Sequence, residues 1–166
     1  MVKRPEHGMT LIVKTITRYT VGLILLFGIY IVLHGHLTPG GGFAGGVIVA
    51  LSFVHLMLAF GRETAIKKMS EKAAGILEGL GAIMFLLIAF MGLTTGYFFY
   101  NFFRRVDTTE TLVEYIGRPF ALFSAGIIPL CNIAICLKVG AGLFAIFVAL
   151  TFLKMNGDAA GDGEKK

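Results

Sequence analysis

Charged side chains are what this sequence has least of. They make up 15% of its 166 residues, whereas 56% are hydrophobic; a soluble globular domain carries roughly 25% charged residues. The few charges gather in short stretches and leave long apolar runs with none, and the mean hydropathy is +0.81. That pattern excludes a water-solvated fold. In lipid every backbone N–H and C=O must be paired within its own segment, so the spans are expected to be helices. Period-two alternation is missing as well, which argues against a transmembrane β-barrel.

Other absences narrow the function. The two cysteines, Cys131 and Cys136, lie five positions apart in one apolar run, on different faces of a helix, with no zinc or haem spacing. No Ser-His-Asp set, nucleotide-binding loop or redox metal cluster is present, so no cofactor and no catalysis by this chain alone are expected. Gly40, Gly42 and Gly45 match G-x-G-x-x-G, but they follow a membrane span, and no Lys-Ser or Lys-Thr comes after them. The net charge of +5 does not indicate nucleic acid, because the basic residues flank the apolar runs. No small-residue cleavage site follows a short apolar core, so the first apolar run reads as a retained helix.

What is present fits an all-α, polytopic membrane protein. A spanning helix needs about 20 apolar residues. Four spans are predicted, at about 13–33, 43–60, 75–100 and 127–153, in a single membrane domain 1–153, followed by a charged, disordered tail at 154–166. Pro129 and Asn132 suggest a break near the start of the fourth. Eleven Lys and Arg flank the spans on the side of the two termini, against three (Arg104, Arg105, Arg118) on the other. Both termini are therefore expected in the cytoplasm of a cell-membrane protein. In DTTETLVEYIG, Asp107 suits a helix cap and Gly117 a terminator, with Leu112, Val113 and Ile116 as an apolar stripe. A short helix lying on the outer membrane surface is expected there.

The first two spans are joined by HGHLTPGGGFAGG, residues 34–46. Gly41/Gly45 and Gly42/Gly46 are spaced by four, which gives flat helix faces for close backbone approach. Pro39 suits the first turn of the second helix. Two readings are open for Gly40 to Gly42: a tight turn with packing glycines, or irregular backbone lining a hydrated ion route. In the second reading His34, His36 and Thr38 become candidate ion-path residues, imidazole being the side chain that titrates near neutral pH.

Three ionisable residues fall inside apolar runs. Lys138 sits in NIAICLKVGAGLF, followed by Gly140 and Gly142, which leave room for a neighbouring helix. If its helix starts near residue 127, it is ~16 Å deep, and its ammonium needs a carboxylate, a carbonyl or water. From a shallower position it could snorkel. Glu78 and His55 are placed at similar depths in the third and second spans and could meet.

The runs HGHLTPGGGFAGGVIVA and IIPLCNIAICLKVGAGLFAIF resemble the B subunit of Mrp-type (Mnh) multisubunit sodium/proton antiporters. They equally resemble the homologous subunit in Mrp-like modules of archaeal membrane-bound hydrogenases and sulfane reductases. The resemblance implies a small four-helix subunit without chemistry of its own, partnered by other antiporter subunits and by lipid, that helps shape a route for Na⁺ and H⁺. The alternative is a purely structural assembly subunit. Carried onto this sequence, the motif positions are His34, Gly35, His36, Thr38, Pro39, Gly40, Gly41, Gly42, Phe43, Gly45, Gly46, Pro129, Asn132, Lys138, Gly140 and Gly142.

Overall fold

The structure is a computed structural model that describes residues 9–37, 39–101 and 125–163. Its elements are α1 (Leu11–Leu33), α2 (Gly41–Phe60), α3 (Arg62–Lys68), α4 (Glu71–Met91), a 3₁₀ turn (Gly92–Thr95) and α5 (Ile128–Gly163). Among the described residues there are no strands. Four stretches are long and apolar enough to span a membrane: Leu11–Leu33, Gly41–Phe60, Glu71–Thr94 and Ile128–Leu153. The fold is the expected four-span, all-α one.

The boundaries differ from expectation in places, each for a local reason. α4 begins at Glu71 rather than near 75 because Ser70 caps it, its Oγ accepting the Ala73 N–H at 3.1 Å. It ends at Met91 rather than at 100. There the backbone turns through Gly96 (φ +88°) and folds back, with the Phe99 N–H donating to the Ala89 carbonyl at 3.3 Å. Gly92 therefore lies beneath the 97–100 turn. α2 begins at Gly41, two residues after Pro39, behind a left-handed Gly40 (φ +99°). α5 runs unbroken through Pro129 and Asn132; proline in the first turn lacks only an N–H that would have no partner in the helix. Its helical backbone also continues through residues 154–163, where a disordered tail was expected; no proline interrupts that stretch. The surface helix expected at 107–117 lies outside the described residues.

The spanning helices lie side by side in the order α1, α2, α5, α4, so α5 stands between α2 and α4. A glycine marks each contact. Gly28 and Gly45 let α1 and α2 meet: a Cβ on Gly28 would lie 3.2 Å from the Val49 nitrogen, and one on Gly45 would lie 3.0 Å from the Gly28 carbonyl oxygen. Gly42 and Gly46 face α5, where a Cβ on Gly42 would come within 2.7 Å of Asn132 Cα. Gly81 lets α4 meet α5, with Ala134 O and Lys138 N both 2.7 Å from a built Cβ. In lipid such interfaces are held by close dispersion contact. At the end opposite the hairpin, Met57, Ala65, Ala74, Ala141, Phe144 and Val148 form the buried cluster, and Phe53 meets Phe144 edge-on at 5.6 Å.

Candidate functional site

α4 and α5 bring Glu78 and Lys138 to one pocket of ≈ 230 Å³, lined also by Phe43 of α2 and by Gly142 and Ile146 of α5. Their positions along the helices follow from helix geometry. Lys138 is ten residues into α5, ~15 Å along its axis at 1.5 Å per residue, the helix starting at Ile128, next to the start that the deeper placement assumes; Glu78 is seven residues into α4, ~10 Å. Glu78 is half-buried and lies over Gly142, its carboxyl carbon 3.5 Å from where a Cβ would stand. Lys138 is exposed on the outer face of α5. Among the described residues no ion pair within 4 Å joins the two.

The remaining candidates fall elsewhere. His55 does not meet Glu78, because α5 separates their helices; its Nε2 lies 3.3 Å from Thr17 Oγ1 of α1 in a hydrogen bond. His34 stacks on Tyr30 at 4.3 Å between ring centroids and approaches the Tyr30 carbonyl through Nδ1 at 3.1 Å. His36 follows in the hairpin, both ring nitrogens buried without a hydrogen-bond partner. Thr38 lies outside the described residues. Turns are described at 34–37 and at 39–40, the latter leading directly into α2. The space beside Gly140 is filled by α2, at Gly46 and Val49, so of the two glycines after Lys138 only Gly142 opens onto the pocket.

Two positions that the sequence reading left without a role carry polar contacts. Asn132, predicted to break α5, is buried and accepts the Gly42 N–H through Oδ1 at 3.2 Å, while its Nδ2 is buried without a partner. Thr17, 1% exposed, holds His55. The signal for Asn132 was present as a lone amide in an apolar run; its partner lies on another helix, which no periodicity reveals.

Residues 12–145 match the family described as a domain related to the MnhB subunit of Na⁺/H⁺ antiporter. An uncharacterised protein of Methanocaldococcus jannaschii is 37% identical over 148 residues, 87% of this chain and 53% of its own length. A protein of Staphylococcus aureus strain MRSA252 carrying the antiporter-subunit name mnhB2 is 34% identical over 61% of this chain and 69% of its own length. Among solved structures, a chain of the membrane-bound sulfane sulfur reductase, an archaeal respiratory membrane complex, is 36% identical with a TM-score of 0.67. The match covers 86% of this chain and 58% of that one. The protein thus spans little more than half the length of the archaeal chains it resembles. With four apolar helices, and with the first sequence motif and all but the last two residues of the second inside the matched region, it is a multi-pass membrane protein that belongs to the MnhB family.

Proposed function

We propose that the protein is a non-catalytic subunit of an Mrp-type Na⁺/H⁺ antiporter module and helps form the route taken by sodium and protons. The observation that carries this reading is the shared pocket of Glu78 and Lys138, deep in two spanning helices. Ionisable groups are costly at that depth and mark ion or proton pathways. A carboxylate and an amine facing one pocket give a proton two successive sites. His36, whose ring nitrogens are buried in the hairpin, adds an imidazole to the candidate route. Other antiporter subunits would complete the path, with both termini on the cytoplasmic side of the cell membrane. The likeness to the sulfane reductase chain supports a place in a redox-driven complex, such as a reductase or a membrane-bound hydrogenase, where neighbours hold the electron carriers.

The test is sodium-dependent proton exchange in vesicles holding the complete complex. Lys138→Ala and Glu78→Gln are expected to lower it ~tenfold or more, a modest share of what a positioned proton-transfer group contributes, with assembly intact. His36→Ala is expected to act in the same direction. Full exchange in all three would overturn the reading.

The glycine contacts favour a second reading, in which the chain only holds the assembly together. The three changes would then be silent, and Gly42→Leu, which collides with Asn132, would dissociate the complex.

A further inference from the structure

The Glu78–Lys138 pocket is an open groove on the outer surface of the bundle. Phe43, Lys138 and Ile146 along it are exposed, and Gly142 contributes no side chain to its floor. On the α4 side, Gly75 and Gly79 bracket Glu78, and among the described residues nothing comes within 4 Å of a Cβ built at either. α4 therefore offers a flat flank beside the groove that no other described helix uses.

Lys138 decides what belongs there. An ammonium ~15 Å from the end of its helix cannot be left facing acyl chains. Among the described residues the groove holds one carboxylate, that of Glu78, which lies a turn further along α5, against Gly142. An ammonium has three donors, and a single carboxylate more than 4 Å away satisfies none of them directly. The donors need an acceptor delivered from the open side, and at that depth any backbone covering it must be helical.

We infer that the groove seats a spanning helix of a neighbouring subunit that carries an Asp or Glu at the depth of Lys138. Its carboxylate and Glu78 then flank the ammonium from two sides, and its backbone lies close against Gly142, Gly75 and Gly79. The inference rests on the subunit reading above and names the chemistry of the surface where that subunit is joined. The resulting cluster of two carboxylates and one amine carries one net negative charge, which suits it to hold a proton or a sodium ion in passage.

Photo-crosslinking in the intact complex tests this independently of transport. The complex would carry p-benzoylphenylalanine in place of Phe43 or, separately, of Ile146, be irradiated in membranes, and have its adducts mapped by peptide mass spectrometry. The expected product is an adduct to a spanning helix of another subunit, with an Asp or Glu within a turn of the attachment point. Lys138→Glu is then expected to lower the co-purified amount of that subunit ~tenfold or more, and changing the mapped acid to Lys in the same complex is expected to restore it. Adducts to lipid only, to a second copy of this chain, or to a helix without a nearby acid would overturn the inference, as would failure of the exchanged pair to restore assembly. An ion-path failure would appear differently, as normal exchange in the Glu78 and Lys138 variants with the crosslink in place.

Discussion

Asn132 of α5 accepts the backbone N–H of Gly42, ninety residues away, at 3.2 Å through its Oδ1. Gly42 is in the first turn of α2, which has no side-chain cap of its own. The amide thus supplies from a neighbouring helix the acceptor that a capping residue supplies locally. Asn132→Ala leaves a buried N–H without a partner and should cost ~1–3 kcal/mol, read as a lower unfolding midpoint of the complex in detergent.

The glycines should respond according to what stands opposite them. Gly42→Ala drives a methyl into the Asn132 backbone, which cannot move aside, and should lose ~1–3 kcal/mol or more. Gly22 has nothing within 4 Å of a built Cβ, so Gly22→Ala should be neutral or stabilising, by up to ~1 kcal/mol. The same unfolding measurement on both variants checks the contrast.

If Glu78 and Lys138 serve one step, their effects should not add. The Glu78→Gln/Lys138→Met double variant is expected to lose little more exchange than the worse single variant. Independent contributions would instead multiply. Initial rates of sodium-driven pH change in vesicles provide the four corners of the cycle.

The Thr17–His55 contact joins α1 to α2 within the membrane. Hydrogen bonds between spanning helices average ~0.6 kcal/mol in double-mutant cycles. Thr17→Val, which keeps the shape and removes the hydroxyl, should lower stability by about that much and leave sodium-dependent exchange near its normal rate. A large loss of exchange with a small change in the unfolding midpoint would show that His55 belongs to the ion route as well.

The spans were legible because continuous apolar length is a local property, and Lys138 stood out because a lone charge breaks such a run. Where the structure differs, the cause is in two cases a contact between segments distant in sequence and in two a local turn or cap. Asn132 reads as a helix breaker until Gly42 is placed opposite it. His55 and Glu78 share a depth, but depth does not say which helix stands between them, and α5 does. The stretch from Gly92 to Tyr100 is apolar enough to extend α4, yet it folds back through the left-handed Gly96. The apolar run starts near residue 75, yet Ser70 caps α4 and starts the helix earlier.

The side-by-side order α1, α2, α5, α4 sets a schedule for biogenesis. Chains emerge from the ribosome N-terminus first, so α1 and α2 can close on each other as soon as both are inserted. α4 enters the bilayer next, but its glycine contact, at Gly81, is with α5, which is synthesised after it. Until then Glu78 has no pocket and stands against lipid. α5 is therefore the keystone of these four helices: a nascent chain halted before Ile128 would leave α4 as an orphan carrying a carboxylate in the bilayer, a form that membrane quality control can recognise.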